Sequence, residues 1–322
     1  MPDPTLALCI PAYNAAWCLP RLLASAAAQT VPFDEILVYD DCSTDDTAAV
    51  AEALGARVVR GDVNVGCSAG KNRLAEATAC DWVHFHDADD DLLPQMSERA
   101  HRWINQPAAP DVVLLHYEYR DAETNELLGE PTYDASLMQT DPIRFTLTHA
   151  VPNFGVYRRA PFLRAGGFDL DPDTLYNEDA AVHTRLALAG LTFGYEPTTT
   201  CINYRYGVSM SQSNGARCAR AQYHVMRKAA AESPDRVHGD IARRLWAIAG
   251  VAGSFLDWKT SDAALALARR LAGARPPESA GSTAFRALAA VAPRAALRLR
   301  EHAVRALRPQ QRSHTLTAGI GE

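Results

Sequence analysis

The sequence lacks the features that mark a secreted, disulfide-linked or membrane-spanning protein. Its seven cysteines are scattered and odd in number, and none forms a C-x-x-C pair, which favours a reduced protein whose cysteines act as small core residues. The chain does not open with a basic segment followed by an apolar one, and no apolar run is long enough to span a bilayer. We therefore expect a cytoplasmic protein, either soluble or peripheral at the inner face of the membrane.

Charge is distributed unevenly along the 322 residues, although the net charge is only −6. Residues 215–322 carry 18 Lys and Arg against 8 Asp and Glu, a net of +10, which leaves 14 against 30 and a net of −16 for residues 1–214. The acidic region argues against nucleic acid as a partner, whereas the basic region suits anionic lipid or an acidic partner.

Predicted strands and helices alternate over the first ninety residues, which indicates an α/β fold with a mostly parallel sheet flanked by helices. From residue 215 onward Ala, Leu and Arg dominate and strand patterns disappear. We predict an α/β domain over residues 1–214, an all-helical C-terminal extension over 215–308 and a disordered tail over 309–322. The expected C-terminal helices are 217–231, 237–258, 261–272 and 293–308.

The segment Trp82–Asp91, WVHFHDADDD, ends a predicted buried strand on the carboxylates Asp87, Asp89, Asp90 and Asp91. Open α/β sheets bind their ligands at the carboxyl ends of strands. Because so many like charges repel, a hard divalent cation bound through oxygen would relieve them, and we predict Mn²⁺ or Mg²⁺ at Asp89 and Asp87. The alternative is a solvated acidic turn that caps the next helix.

Further motifs are spread along the chain before and after this segment. In order they are P-A-Y-N at 11–14, D-D-x-S-T-D at 40–45, N-x-G-x-x-x-G-K-N at 64–72, D-A-D-D at 87–90, G-G-F-D at 166–169 and E-D at 178–179. In order and spacing this set resembles the family-two glycosyltransferases with the GT-A fold, over about residues 5–212. The resemblance implies a nucleotide-diphosphate sugar as substrate.

Each part of such a substrate has a candidate partner. Tyr13 is expected to cover the base, and Asp41 to accept the imide N–H of uracil or thymine, which favours a UDP- or dTDP-sugar. Lys71 either adds charge near the phosphates or is a solvated surface residue. The basic residue that family members often carry near the diphosphate is assigned to Arg205, with the Ser209 and Ser211 hydroxyls as alternatives. The full donor-binding set is Pro11, Ala12, Tyr13, Asn14, Asp41, Lys71, Asp87, Ala88, Asp89 and Arg205.

The acidic pair Glu178-Asp179 opens a predicted helix. Sugar transfer develops positive charge at the anomeric carbon, so the attacking hydroxyl needs a carboxylate to take its proton. The resemblance makes Asp179 this general base, with Glu178 binding an acceptor hydroxyl or orienting the base, or merely favouring the helix N-terminus. The expected reaction inverts the anomeric configuration and moves one sugar to a hydroxyl of a glycan or lipid-linked acceptor, because the Q-x-x-R-W motif of processive members is missing.

Other functions fit the sequence less well. A nucleotidyltransferase would need a glycine-rich basic loop after the first strand, and a haloacid-dehalogenase-like phosphatase would need D-x-D-x-T there. An inactive scaffold that docks partners through its basic helices remains the alternative function. His84 and His86 share one face of the central strand, and they either approach the metal or are hydrogen-bonded core residues.

The last predicted helix, 293–308, is amphipathic and basic. Its apolar face would bind an anionic membrane surface, pack against the rest of the protein, or pair with a second copy in a homodimer. The two faces are formed by Ala296, Leu299, Ala303 and Leu307, and by Arg294, Arg298, Arg305 and Arg308.

Overall fold

A computed structural model describes residues 3–206 and 214–312. The chain forms two compact units and passes between them several times. The first unit comprises Met1–Phe145, Ala150–Leu170 and Arg185–Gly207, and the second comprises Thr146–His149, Asp171–Thr184 and Val208–Glu322. The predicted tail falls mainly on residues 313–322, which lie outside the described residues.

The first unit is built on one sheet, in which the described residues form nine strands in the order β3-β2-β1-β4-β8-β6-β9-β5, with β7 paired to β6. The strands are β1 (Leu6–Ala12), β2 (Glu35–Asp40), β3 (Arg57–Arg60), β4 (Trp82–Phe85), β5 (Asp91–Leu92), β6 (Val112–Asp121), β7 (Leu127–Gly129), β8 (Gly155–Arg158) and β9 (Phe193–Arg205).

The sheet is mixed. Strands β1 to β4 run parallel, as their alternation with helices predicted, and β6 runs parallel to β9. Strand β8 lies between β4 and β6 and is antiparallel to both, and β5 is antiparallel to β9. The predicted mostly parallel sheet therefore describes its N-terminal half, because only there does a helix carry the chain back between consecutive neighbouring strands.

Two strands have features that local sequence does not show. Pro11 and Ala12 of the P-A-Y-N motif belong to β1 and pair with Tyr39 and Asp40 of β2. Strand β9 is one continuous strand, and its register against β6 shifts around His116. A bulge of this kind lets one long strand resemble two short ones in sequence.

Helices cover the sheet because their apolar residues recur at helical spacing. In α1, Leu19 and Leu22 are fully buried and share a core with Leu6, Leu8 and Ile10 of β1. Each such side chain contributes about 2 kcal/mol of burial free energy. The first eight helices are α1 (Leu19–Ala27), α2 (Thr47–Ala53), α3 (Cys67–Ala77), α4 (Met96–Ile104), α5 (Ala135–Thr140), α6 (Pro142–Thr148), α7 (Arg159–Arg164) and α8 (Glu178–Leu188).

The remaining helices confirm the all-helical C-terminal region. They are α9 (Gly215–Glu232), α10 (His238–Ser254), α11 (Trp258–Ala272), α12 (Thr283–Val291) and α13 (Pro293–Leu307). Helix α10 ends before the predicted residue 258, because Leu256 adopts φ 62° and Asp257 caps a new helix by accepting a hydrogen bond from the Thr260 N–H. Among the described residues, no helix combines the length and the apolar character needed to cross a bilayer.

Candidate active site

The segment after β1 is tied to the acidic segment after β2. Oδ1 of Asn14 accepts hydrogen bonds from the N–H and the hydroxyl of Thr44, at 2.8 and 3.2 Å, and the Asn14 N–H donates to Oγ of Ser43 at 2.9 Å. Asn14 adopts φ 49°, a conformation that asparagine tolerates. Tyr13 beside it is 52% exposed, so its ring is accessible to a nucleotide base.

Asp41 is buried and holds the loop that precedes α3. Its Oδ1 accepts the N–H of Val65 at 2.7 Å and its Oδ2 accepts the N–H of Gly66 at 2.8 Å. Gly66 has φ +85°, a backbone conformation that residues with a side chain adopt only at a cost in free energy. A carboxylate has about four acceptor positions, so Asp41 keeps capacity for one more N–H, and its role in reading the base stays a prediction.

The D-A-D-D segment follows β4 directly. Its first carboxylate, Asp87, is 40% exposed. Burial raises the pKa of Asp89, and the charge of Asp87 raises it further. Burial, followed by the charges of Asp89 and Asp87, also raises the pKa of Asp90 well above its usual range. A divalent cation would relieve this repulsion, and carboxylate oxygens are the ligands that Mn²⁺ and Mg²⁺ prefer, so Asp87 and Asp89 fit such an ion.

Lys71 is a buried cation beside these acids. Only 2% of its side chain is exposed, and its Nζ lies 2.9 Å from Oδ1 of Asp87 and 5.2 Å from the centroid of the Phe168 ring. The solvated surface role considered for Lys71 is therefore wrong. Residues Lys71, Asp87 and Asp89 are brought together where β4 ends.

Glu178 and Asp179 belong to the second unit, whereas Asp87 and Asp89 belong to the first. Glu178 begins α8, and its buried Oε2 has no hydrogen-bond partner among the described residues. Such an atom is costly to bury and is open to a hydroxyl hydrogen bond. The Asp179 carbonyl oxygen accepts a hydrogen bond from Nδ1 of His183 at 2.8 Å. Tyr176, just before the pair, adopts φ 75°, a strained conformation for an aromatic residue.

Comparison with known proteins identifies the first half of the chain. Residues 7–165 match the model of glycosyl transferase family 2. The chain contains a family 2 glycosyltransferase domain. A Haemophilus influenzae protein named as an uncharacterized glycosyltransferase is 25% identical to it over 165 residues, which are 50% of this chain and 55% of that protein. The chain spans about half or less of the length of the first curated relatives that it matches.

Solved structures show the same fold as this chain, which confirms the predicted GT-A architecture. S. aureus TarS in complex with UDP-GlcNAc superposes with a TM-score of 0.70 at 19% identity, covering 94% of this chain and 92% of that one. The mannosyltransferase PcManGT from Pyrobaculum calidifontis, in complex with GDP-Man and Mn²⁺, superposes with a TM-score of 0.58 at 18% identity, covering 98% and 86%.

The first unit also holds the D-A-D-D segment through contacts that no sequence pattern predicted. Arg21 of α1 donates to Oδ1 of Asp91 at 2.9 Å and to the Asp89 carbonyl oxygen, and its guanidinium lies 4.2 Å from the centroid of the Tyr204 ring. Asp90 accepts hydrogen bonds from Nδ2 of Asn203 at 2.7 Å and from the Tyr204 N–H at 2.8 Å. No local pattern could have found these contacts, because the partners lie 68 or more residues apart.

Arg205, the predicted phosphate ligand, is the last residue of β9. Its guanidinium carbon lies 4.2 Å from the centroid of the Tyr119 ring. The alternative ligands Ser209 and Ser211 lie outside the described residues. The role of Arg205 therefore stays a prediction.

Proposed function

We propose that the protein is a metal-dependent, inverting glycosyltransferase that moves one sugar from a UDP- or dTDP-sugar to a hydroxyl of a glycan or lipid-linked acceptor. The observation that carries this proposal is the D-A-D-D segment at the carboxyl end of β4, where burial and mutual charge raise the pKa of Asp89 and Lys71 pairs with Asp87. The family 2 model match supports the same chemistry.

Nucleotide-sugar binding is assigned to the first unit. Tyr13 offers an exposed ring for the base, and Asp41 offers the remaining lone pairs of a carboxylate for its imide N–H. Asp89 and Asp87 would hold Mn²⁺ or Mg²⁺, which supplies Lewis acidity at the leaving diphosphate. Lys71 holds Asp87 in place and adds positive charge beside it. Pro11, Ala12, Asn14, Ala88 and Arg205 complete the proposed contacts.

Proton removal is assigned to the second unit. In this proposal Asp179 takes the proton of the attacking hydroxyl, and the buried Oε2 of Glu178 accepts a hydrogen bond from an acceptor hydroxyl. Direct attack assisted by one base inverts the anomeric configuration, without a covalent sugar intermediate on the protein. Tyr176, immediately before the pair, is held by a hydrogen bond from Arg217 to its hydroxyl at 3.1 Å.

The nucleotide is tested by calorimetric titration of the full chain with UDP, dTDP and GDP, each with and without Mn²⁺. GDP is included because one structural neighbour was solved with GDP-Man and Mn²⁺. We expect binding of a uridine or thymidine diphosphate that strengthens with Mn²⁺. Preference for GDP would contradict the assignment of Asp41, and no binding to any of the three would favour the inactive scaffold.

The separate roles proposed for Asp89 in nucleotide binding and for Asp179 in proton removal are tested with two substitutions. Asp89→Ala should weaken Mn²⁺-dependent nucleotide binding, whereas Asp179→Asn should keep that binding and lose transfer by about 10²-fold or more. Asp235→Asn, in the same unit as Asp179 and fully exposed, is the matched control and should retain both activities. Equal loss of nucleotide affinity in Asp89→Ala and Asp179→Asn would contradict the proposed roles.

Membrane contact is a separate proposal for α12 and α13. Several charges of the predicted basic face are engaged within the second unit: Arg298 pairs with Asp262 at 2.9 Å and Arg305 with Glu301 at 2.9 Å. Apolar side chains nevertheless remain exposed, at 83% for Val291 and 80% for Leu307. These exposed apolar side chains favour a contact with lipid at the inner face of the membrane. Co-sedimentation with anionic vesicles should fall when residues 283–322 are deleted, and unchanged co-sedimentation would refute the contact.

A further inference from the structure

A cluster of buried side chains lies beside the proposed nucleotide site and has no role in it. It consists of His84 and His86 of the central strand region and Cys201 of β9, and each is fully buried. One potential ligand atom from each residue lies within 4.8 Å of the others. The chain folds these residues together from positions more than a hundred residues apart, with Phe154 packed against His86 at a centroid distance of 5.5 Å.

The hydrogen bonds of His84 fix which of its nitrogens offers a lone pair. Nδ1 of His84 lies 2.8 Å from the carbonyl oxygen of Gly155, which can only accept, so this nitrogen carries the hydrogen. Nε2 of His84 then presents its lone pair, and it lies 3.0 Å from Nδ1 of His86. Donation of the outer N–H to a backbone carbonyl is the arrangement that metal-ligating histidines adopt.

The imidazole of His86 is left incompletely satisfied whichever nitrogen carries its hydrogen. If Nδ1 carries it, this nitrogen donates to His84, and the buried Nε2 is an acceptor without a hydrogen-bond partner among the described residues. If Nε2 carries it, two lone pairs face each other at 3.0 Å. Burial makes both arrangements costly, the unpartnered Nε2 acceptor and the two facing lone pairs. A cation bound between His84 and His86 would remove the repulsion between the facing lone pairs.

We propose that His84, His86 and Cys201 form a second metal site that takes an ion with a preference for imidazole and thiolate, such as Zn²⁺. The separation of the two facing nitrogens is close to the spacing of about 3.3 Å expected for ligands on a tetrahedral zinc ion. The cysteine sulfur would approach by on the order of 1 Å to complete the set. Binding releases the thiol proton of Cys201 to solvent and forms the metal–sulfur bond.

The position of this site gives it a structural task. His86 directly precedes Asp87, and Cys201 pairs with Leu92 in the β5–β9 ladder. An ion shared by His86 and Cys201 therefore fastens both ends of the segment 87–91, which carries the carboxylates. Sulfur and nitrogen ligands select against the oxygen-preferring Mn²⁺ and Mg²⁺, so the two sites take different ions.

The test uses the full chain, stripped with a chelator and dialysed against Zn²⁺ or Co²⁺ with excess Mg²⁺. Exposed thiols are removed by the Cys42→Ser/Cys67→Ser background. We expect one tightly bound ion per chain and, with Co²⁺, a sulfur-to-cobalt charge-transfer absorption. Cys201→Ser should abolish that absorption and weaken Zn²⁺ binding by more than the 10–100-fold typical of outer-partner changes. Cys80→Ser, another buried thiol, should change neither.

Two outcomes would overturn the site. Absence of the charge-transfer absorption in the protein with an intact Cys201 would refute the metal site. This measurement needs no Cys201 variant, so it remains decisive if Cys201→Ser does not fold. Equal zinc affinity in the Cys201→Ser and Cys80→Ser proteins would refute the site as well. Neither measurement depends on transfer activity, so a failure of this site is distinguishable from a failure of the proposed function.

Discussion

The ion pair between Lys71 and Asp87 joins groups in different environments. Lys71 is 2% exposed, whereas Asp87 is 40% exposed. Water can therefore solvate Asp87 when its partner is removed, but it cannot solvate the Lys71 ammonium group to the same extent. Breaking the pair should therefore cost more free energy when the buried Lys71 ammonium group is left unpaired than when Asp87 is.

We therefore predict that Asp87→Ala destabilises the protein more than Lys71→Met does. The expected difference in the free energy of unfolding is about 1–3 kcal/mol, below the 3–5 kcal/mol typical of a fully buried pair because Asp87 is partly solvated. Urea unfolding of both variants and of the double variant measures it. A larger loss from Lys71→Met would show that the ammonium group is stabilised by other groups.

Helix α3 approaches β2 closely at a glycine. A Cβ atom at Gly70 would lie 2.8 Å from Cδ1 of Tyr39, a ring atom that can move only with the whole side chain. Glycine within a helix costs about 0.5–1 kcal/mol relative to alanine, and overpacking costs about 1–3 kcal/mol. The close approach of α3 to the sheet thus explains why a helix-weakening residue stands here.

We predict that Gly70→Ala lowers the stability by about 1–2 kcal/mol despite its better helix propensity. Gly239→Ala in α10 is the matched control, since its Cβ would meet only the guanidinium of Arg243 at 3.9 Å. That control should be neutral or stabilising by up to about 1 kcal/mol. Thermal unfolding of the two variants measures the change in stability. Equal changes in Gly70→Ala and Gly239→Ala would refute the packing argument.

The N-cap of α11 gives a pH-dependent contribution to stability. Burial acts to raise the pKa of Asp257, but hydrogen bonds from the N–H and hydroxyl of Thr260 and from Arg220 outweigh it and hold the pKa below its ordinary 3.8. A carboxylate whose pKa is lower in the folded state stabilises that state above the unfolded pKa, and the contribution is lost as pH falls below it.

We predict that Asp257→Asn, which keeps a good helix cap, reduces stability at pH 6 and has a smaller effect near pH 3. Asp257→Ala should cost about 1 kcal/mol more than Asp257→Asn at both pH values, because the cap itself is lost. Chemical unfolding at the two pH values measures these differences. An Asp257→Asn effect that grows on acidification would contradict the direction of the pKa shift.

At the scale of the whole molecule, the second unit combines segments that are distant in sequence. Helix α9 binds the stretch before Glu178 and Asp179 through side chains: Lys228 pairs with Asp171 at 2.7 Å, and Arg217 donates to the Tyr176 hydroxyl at 3.1 Å. The segment Asp171–Thr184 is grouped with residues from 208 onward rather than with its sequence neighbours. Helix α9 therefore contributes to placing the proposed base.

We predict that a chain ending at residue 214 loses transfer activity, even if it still binds the nucleotide. Removing α9 removes the partners of Asp171 and Tyr176, which leaves the start of α8 without these contacts. Proteolysis between residues 171 and 184, together with a transfer assay, measures the effect. Full activity in the shortened chain would show that residues 1–214 form an independent catalytic domain, with the boundary that the sequence predicts.

Local sequence patterns were sufficient to predict the N-terminal strands and helices and the family of the chain. Apolar periodicity specified β1 to β4 and the helices between them, because burial of one face sets the period of each element. The ordered motifs predict Asp41, Lys71, Asp87 and Asp89 as nucleotide-sugar ligands, because of the family resemblance and because open α/β sheets bind ligands where their strands end. These features depend on residues close together in the chain.

Contacts between residues distant in the chain became visible only in the folded structure. It paired Lys71 with Asp87, joined Asp90 to Asn203, placed Arg21 against Asp91, and brought His84 and His86 to Cys201. Such contacts follow from strand order and crossovers, which leave no periodic pattern in the sequence. For the same reason local sequence does not predict the burial of Lys71 or the length of β9, since both depend on neighbours that the fold supplies from elsewhere in the chain.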